Sequence, residues 1–144
     1  MNEESIGRLV AILYRTGLNH TGKQFEPYGL GGSQFAFLAE LFARDGISQE
    51  ELASSIGCDK ATVTRAMQRL ESQGYVERKH STEDGRVNLV YLTDKAQNFK
   101  PTLFSILSNW TDILTQGLSS KERKLLINLL NRLVENAMAS RPGK

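Results

Sequence analysis

The chain has 144 residues, a single cysteine and a formal net charge of +2. That length accommodates one core burying roughly two-thirds of the unfolded surface; the lone Cys58 excludes an intrachain disulfide and a cysteine-held zinc site, and the small charge excludes nucleic-acid attraction by bulk charge. No apolar run approaches the roughly 20 residues of a membrane span, and the start Met1-Asn2-Glu3-Glu4 is acidic, unlike a secretory leader, which places the expected protein in the cytoplasm.

In chain order, Ile6, Leu9, Val10 and Leu13 mark one face of a first helix. Asn19 to Gly32, with Gly22, Pro27, Gly29, Gly31 and Gly32, is predicted as a loose connection to Ser33, a helix cap before Phe35 to Leu41. Its glycines lack the Gly-Lys-Ser/Thr ending of a phosphate loop. The next helix opens at Ser48, three residues before Glu51, which is capping-box spacing. Ile47 and Leu52 stand at the staple positions, Leu52 and Ile56 lie one turn apart, and Gly57 is suited to a left-handed stop. Asp59 caps a second helix whose inward stripe is Val63, Ala66, Met67 and Leu70, and Gly74 ends it.

With Val63 inward and about 100° per residue, the opposite face carries Ala61, Arg65, Gln68 and Ser72, flanked by Thr62, Thr64 and Arg69. Arg can hold guanine O6 and N7, Gln can pair with adenine, and Thr or Ala can meet a thymine methyl, so this face suits a major groove. An ordinary solvated face has similar residues. The following segments, Val76 to His80 and Val87 to Leu92, are strand-like, and Asp84-Gly85 predicts a tight turn with positive backbone angles. Arg78, Lys79, His80 and Arg86 gather there. An Arg at a hairpin tip suits a narrow minor groove, with Asp84 holding the Arg86 guanidinium by a charge-assisted bond. Two short capped helices followed by a basic hairpin are the order of a winged helix-turn-helix. From Lys60 to Arg86 six cations face four carboxylates, so placement rather than composition carries the argument.

After the hairpin, Phe99, Leu103, Ile106, Trp110, Ile113 and Leu114 form a further apolar stripe, interrupted by Pro101, which predicts either a kink or a helix start. A second capping box, Ser119 to Glu122, opens a last helix carrying Leu125, Leu126, Leu129, Leu130, Leu133, Val134, Ala137 and Met138. That stripe is wide enough for more than one neighbour and predicts packing between chains; a monomeric helical core is the competing account. His20 and His80 stand too far apart in sequence to suggest a metal pair, no cofactor loop is present, and no nucleophile elbow organises Ser, His and Asp, so neither a cofactor nor catalysis is expected.

The run from Ile47 to Lys95 resembles the DNA-binding core of the MarR family of transcription regulators. The residues that carry the likeness are Gln49-Glu50-Glu51-Leu52-Ala53, Ala61-Thr62-Val63-Thr64-Arg65, Leu70-Glu71-Ser72-Gln73-Gly74-Tyr75-Val76, Asp84-Gly85-Arg86 and Leu92-Thr93-Asp94-Lys95. Phe35 to Leu41 and Leu118 to Arg123 extend it over nearly the whole chain. Two positions depart from the family pattern: Gly85 stands where a second Arg is frequent, and Ala96 where a Gly is.

The resemblance implies a mainly α fold with a small β-hairpin wing, one domain over 1–144. Its core would be a winged helix-turn-helix over 33–95, flanked by dimerisation helices over 1–25 and 96–140. It implies a homodimer on double-stranded, pseudo-palindromic DNA, a repressor released by a small aromatic ligand. Lys60, Thr62, Thr64, Arg65, Gln68 and Arg69 are then the groove and backbone residues, and Asp84 with Arg86 the wing. Tyr14, Phe25, Tyr28, Phe35 and Trp110 suit a ligand pocket between dimer helices and winged core, or equally plain core. Some members of the family sense oxidants through cysteine, so Cys58, at a staple position before the Asp59 cap, is either a redox sensor or half-apolar packing. The alternative from another class is a winged-helix protein-interaction module without DNA, favoured by the modest charge.

Overall fold

The computed structural model describes residues 5–31 and 33–141, so the acidic start at residues 1–4 and Gly32 of the glycine cluster lie outside the described residues. Helix α1 spans Ile6–Phe25, its first turn capped by the Ser5 hydroxyl accepting from the Arg8 amide at 3.3 Å. The segment predicted as loose from Asn19 is instead helical as far as Phe25, followed by a 3-10 turn over Glu26–Tyr28. The correction has a tertiary cause. Thr21 and Phe25 are buried, and the Thr21 hydroxyl donates to the Gly17 carbonyl at 2.7 Å, so packing overrides the cost of Gly22 inside a helix. Ser33 occupies the cap position of α2 (Gln34–Ala43) without capping it; the Gln34 side chain instead accepts from the Gly31 amide at 3.1 Å.

Helices α3 (Gln49–Ile56) and α4 (Lys60–Ser72) form the helix-turn-helix, and strands β1 (Val76–His80) and β2 (Asn88–Leu92) the wing. The strands are antiparallel, with Val76 opposite Leu92 and His80 opposite Asn88. The α2–α3 connection adds a third short rung: the Gly46 amide donates to the Val90 carbonyl and the Val90 amide to the Ile47 carbonyl, both at 2.9 Å. Asp45 accepts from the Leu92 amide at 2.9 Å. Gly46 sits at φ 77° with the Tyr91 ring beside it, where a Cβ would come within 2.9 Å of Tyr91 Cε1; any other residue would strain the backbone and displace the ring.

The wing tip corrects a second expectation. Among the described residues the positive φ angles belong to Gly29, Gly46, Gly57, Gly74 and Gly117, and Gly85 is not one of them. The strands are joined by Ser81–Val87, within which an unprimed turn closes where the Val87 amide donates to the Asp84 carbonyl at 3.0 Å. In a connection of seven residues the strand twist does not demand a primed turn.

The core is built from α2, α3, α4, the wing base and the first half of α5 (Asp94–Leu114). Leu38, Leu41, Leu52, Val63, Met67, Leu70, Val90, Ala96 and Leu103 are fully closed from solvent. Phe99, Leu103 and Ile106, predicted as part of an inter-chain stripe, close this core instead, while Ile113 and Leu114 of the same stripe are exposed. Pro101 lies inside α5, not at its start, and supplies no amide to the Gln97 carbonyl one turn before.

The chain forms two compact units, one reaching to Trp110 and one from Thr111 onward. The second contains α6 (Ser120–Ala139), opened by the Ser119–Glu122 capping box, and none of the described residues of α6 is buried. Leu125, Ile127 and Val134 are each more than half exposed, at 57%, 55% and 53%. On α1, Ile6, Leu9, Val10 and Leu13 are exposed as well. Among the described residues no helix is long and apolar enough to cross a membrane.

Candidate nucleic-acid interface

Local sequence positions the two helices. Ser48 Oγ accepts from the Glu51 amide at 3.0 Å while the Glu51 carboxylate reaches back to the Ser48 amide, completing the capping box, and Gly57 ends α3 at φ 82°. Asp59 then starts α4 by accepting from the Thr62 amide at 2.7 Å. The Thr62 amide, and after it the Thr62 side chain, hold the Asp59 carboxyl below its ordinary range. Val63, Met67 and Leu70 anchor α4 in the core, and the periodicity turns Ala61, Arg65, Gln68, Arg69 and Ser72 to solvent, with Thr62 and Thr64 half-exposed. Arg65 Nη2 lies 3.4 Å from Thr62 Oγ1, across one turn of this face.

At the wing, Asp84 Oδ1 accepts from both the backbone amide of Arg86, at 3.1 Å, and its Nε, at 3.3 Å. The turn is thereby fixed and the guanidinium pointed by the same carboxylate, with the Arg86 side chain 93% exposed. The pair predicted from sequence is formed. Between α4, the start of α3 and the wing runs a cleft of about 190 Å³, lined by Gln49, Glu50, Lys60, Thr64, Arg86 and Asn88 among others. Lys60, Thr64 and Arg86 therefore share one concavity, while Arg65, Gln68 and Arg69 lie on the open face.

Arg78 departs from the sequence reading. It counted among the cations of the hairpin, but its Nη2 and Nε reach Glu71 Oε1 at 2.8 and 3.2 Å, and its Nη1 reaches Gln49 Oε1 at 3.4 Å. The Arg78 hydrogen bond holds the Glu71 carboxyl below its ordinary range. Gln49 in turn donates from Nε2 to Thr64 Oγ1 at 3.3 Å. Sequence reasoning missed Gln49 and Glu71 as members of this site. Their spacings of 29 and 7 residues from Arg78 match no local periodicity, and the one available signal was that Glu71 lies seven positions after Thr64, on the same helix side. Lys79 is 3.9 Å from Glu77 and lies over the Tyr91 ring, and His80 is an exposed strand end.

The aromatic residues considered for a pocket are divided. Phe25 is closed in the core, stacked on Phe35 at 5.1 Å between ring centroids. Tyr28 is exposed against Phe99 and lines a shallow cleft with Pro101 and Ile106. Trp110 stacks on His20 at 4.8 Å and lines a different cleft with Thr16 and Lys23. Tyr14 is exposed on α1. Cys58 is half-buried and packs against the core. Among the described residues no group of His, Cys, Asp or Glu is arranged to hold a metal ion. Tyr75, whose phenol burial pushes upward in pKa, donates to the Tyr28 carbonyl at 2.7 Å and so ties the start of the wing to the 3-10 turn that follows α1.

Comparison with known proteins gives this geometry its context. The sequence profile of the MarR family matches residues 32–87. The chain is 35% identical over 128 residues to YdgJ of Bacillus subtilis, an HTH-type transcriptional regulator, covering 87% of this chain and 78% of that protein. Its fold superposes on the crystal structure of a MarR transcriptional regulator from Methanosarcina mazei with a TM-score of 0.90 and 38% identity, covering 94% of this chain and 98% of that one. A mutant MarR from E. coli, solved in complex with operator DNA, matches with a TM-score of 0.78 and 26% identity over 89% of this chain and 92% of that one.

Proposed function

The chain belongs to the MarR family of winged-helix transcriptional regulators, not to an enzyme family, and from that premise we propose that it binds operator DNA as a homodimer and represses transcription. The observation that carries the reading is the exposed face of α4 lying beside a wing whose Arg86 is aimed by Asp84. Arg65 and Gln68 enter the major groove and read base edges, with Arg69 and Thr62 beside them. Arg86 reaches the flanking minor groove, where phosphates concentrate negative potential. Gly85 removes the second wing cation, so this wing holds DNA with Arg86 and the groove cations Lys60, Arg65 and Arg69.

Dimerisation is supported by the exposed leucines of α6 and the exposed apolar stripe of α1, surfaces that a solitary chain would leave in water. Two recognition helices then meet half-sites about ten base pairs apart, one turn of DNA. A small aromatic compound lodging beside Tyr28 or Trp110 would change the half-site spacing and release the operator. Cys58 serves as packing at the α3–α4 turn.

The test is selection from random duplex DNA by the purified protein, followed by titration at two salt concentrations. An inverted repeat with half-sites one turn apart and a steep salt dependence is expected. A folded dimer that enriches no motif at low salt would overturn the reading in favour of a protein-interaction module.

A further inference from the structure

The relay from Glu71 through Arg78 and Gln49 to Thr64 has a direction, because its members differ in which hydrogen-bonding roles they can take. A guanidinium only donates, so Gln49 must turn its Oε1 toward Arg78 Nη1, and its Nε2 is left facing Thr64 Oγ1. The opposite amide orientation would set two donors against each other. Thr64 Oγ1 is thereby made an acceptor inside the protein, and its own proton remains to be given elsewhere. Two other helical threonines show the alternative: Thr16 and Thr21 each turn the hydroxyl back onto the carbonyl four residues before, at 2.8 and 2.7 Å. Among the described residues the Thr64 hydroxyl donates to no such carbonyl.

Where that proton points follows from the helix geometry. With Val63 inward, Lys60, Thr64 and Glu71 fall on one side of α4, about 60–100° round from Val63, while Arg65 and Gln68 lie on the far face. That side borders the cleft shared with Arg86, in which Lys60 and Arg86 bring two positive charges and Glu50 one negative. We propose that this cleft seats one backbone phosphate of the bound DNA, beside the minor groove that Arg86 enters, with the Thr64 hydroxyl donating to a phosphate oxygen, Lys60 neutralising it, and Gln49 and Arg78 acting as positioning residues that fix Thr64 as a donor. The proposal rests on the DNA-binding reading and deepens it. Glu71 keeps Arg78 from turning to the phosphate itself.

The test uses the full-length protein and the duplex selected by the wild type. Thr64→Val, which removes the hydroxyl at constant shape, is expected to weaken binding about tenfold, the scale of a hydrogen bond to a charged group. Gln49→Met and Arg78→Met are expected to weaken it several-fold in the wild-type background and not at all in the Thr64→Val background. Additive losses would overturn the relay. Replacing single phosphates by neutral methylphosphonates should reveal one position in each half-site at which wild type and Thr64→Val bind equally. If a base substitution equalised them instead, the acceptor would be a base edge and the phosphate seat would fall. Gln49→Met leaves the Arg78–Glu71 pair intact and carries the test if Arg78→Met fails to fold. In the free protein, NMR should show contact between the Gln49 amide protons and the Thr64 methyl, lost in Arg78→Met. Its absence in the wild type would overturn the relay even where DNA binding stands. Its presence in a wild type that selects no duplex would overturn the phosphate seat together with the DNA-binding reading while the relay stands.

Discussion

Leu38, Leu52 and Leu70 in the winged core are closed from solvent, whereas Leu125, Leu129 and Leu133 on α6, of the same chemistry and with helical spacing, are all exposed. The winged core completes itself within one chain: three short helices and a hairpin bring their apolar faces together, and the caps at Ser48 and Asp59 fix where each helix begins. Helix α6 has the caps and the stripe but no buried residue. Apolar periodicity states that a face needs covering, and it does not state whether the cover comes from the same chain. In this protein both answers occur, so stability and assembly should respond to different substitutions.

That separation can be broken first at α6. Leu130→Glu places a charge in each half of the proposed interface and is expected to cost about 3–5 kcal/mol of association energy. Sedimentation should then show a monomer whose helical signal persists, and an undiminished dimer would remove α6 from the interface. In the core, Leu70→Ala should lower unfolding free energy by about 2–5 kcal/mol, read by denaturant titration, because the site is closed on all sides and leaves a cavity. Equal responses to the two substitutions in both assays would erase the distinction between core and proposed interface.

Smaller effects sharpen the picture within the winged unit. Arg65→Ala is expected to relax base preference at one position of the selected site by about 1–3 kcal/mol while the denaturation midpoint holds; an unchanged binding motif would remove Arg65 from base reading. Ser48→Ala should cost about 0.5–2 kcal/mol of stability through the lost cap of α3, measured by the same denaturation. The smallest effect concerns pH. Arg78 holds Glu71 below its ordinary value of 4.5 in the folded protein, so the stability this pair contributes is fully present above that value and is lost as the pH falls beneath it. Glu71→Gln should flatten acid destabilisation in that window, and an unchanged acid profile would show that the pair contributes nothing measurable.

The limits of sequence reading have particular addresses. Both capping boxes, the Asp59 cap, the Gly57 stop and the Asp84–Arg86 pair were legible because each is a contact between residues two to four apart, where backbone geometry alone decides who meets whom. The hairpin was legible as a hairpin, but its turn was not: Asp84-Gly85 suggested positive backbone angles, and Gly85 has none in the seven-residue connection the structure shows. Gly22 suggested a loop where Thr21 and Phe25, buried on either side of it, hold a helix. The stripe after the wing was one pattern in sequence and two environments in space, with Phe99, Leu103 and Ile106 in the core and Ile113 and Leu114 outside it.

By itself the sequence determined the order of elements, the starts of α3, α4 and α6, the face of α4 turned to solvent and the wing pair, since all depend on short-range spacing and on which residues water rejects. Only the tertiary structure decided that Arg78 is bound to Glu71 rather than offered to a ligand, that Gln49 joins α3 to α4 and the wing, and that Thr64 accepts from Gln49. Those facts depend on side chains brought within hydrogen-bond distance from positions 7 to 29 residues apart. No periodicity encodes such meetings, because they follow from how the packed helices and the hairpin lie against one another once the core has closed.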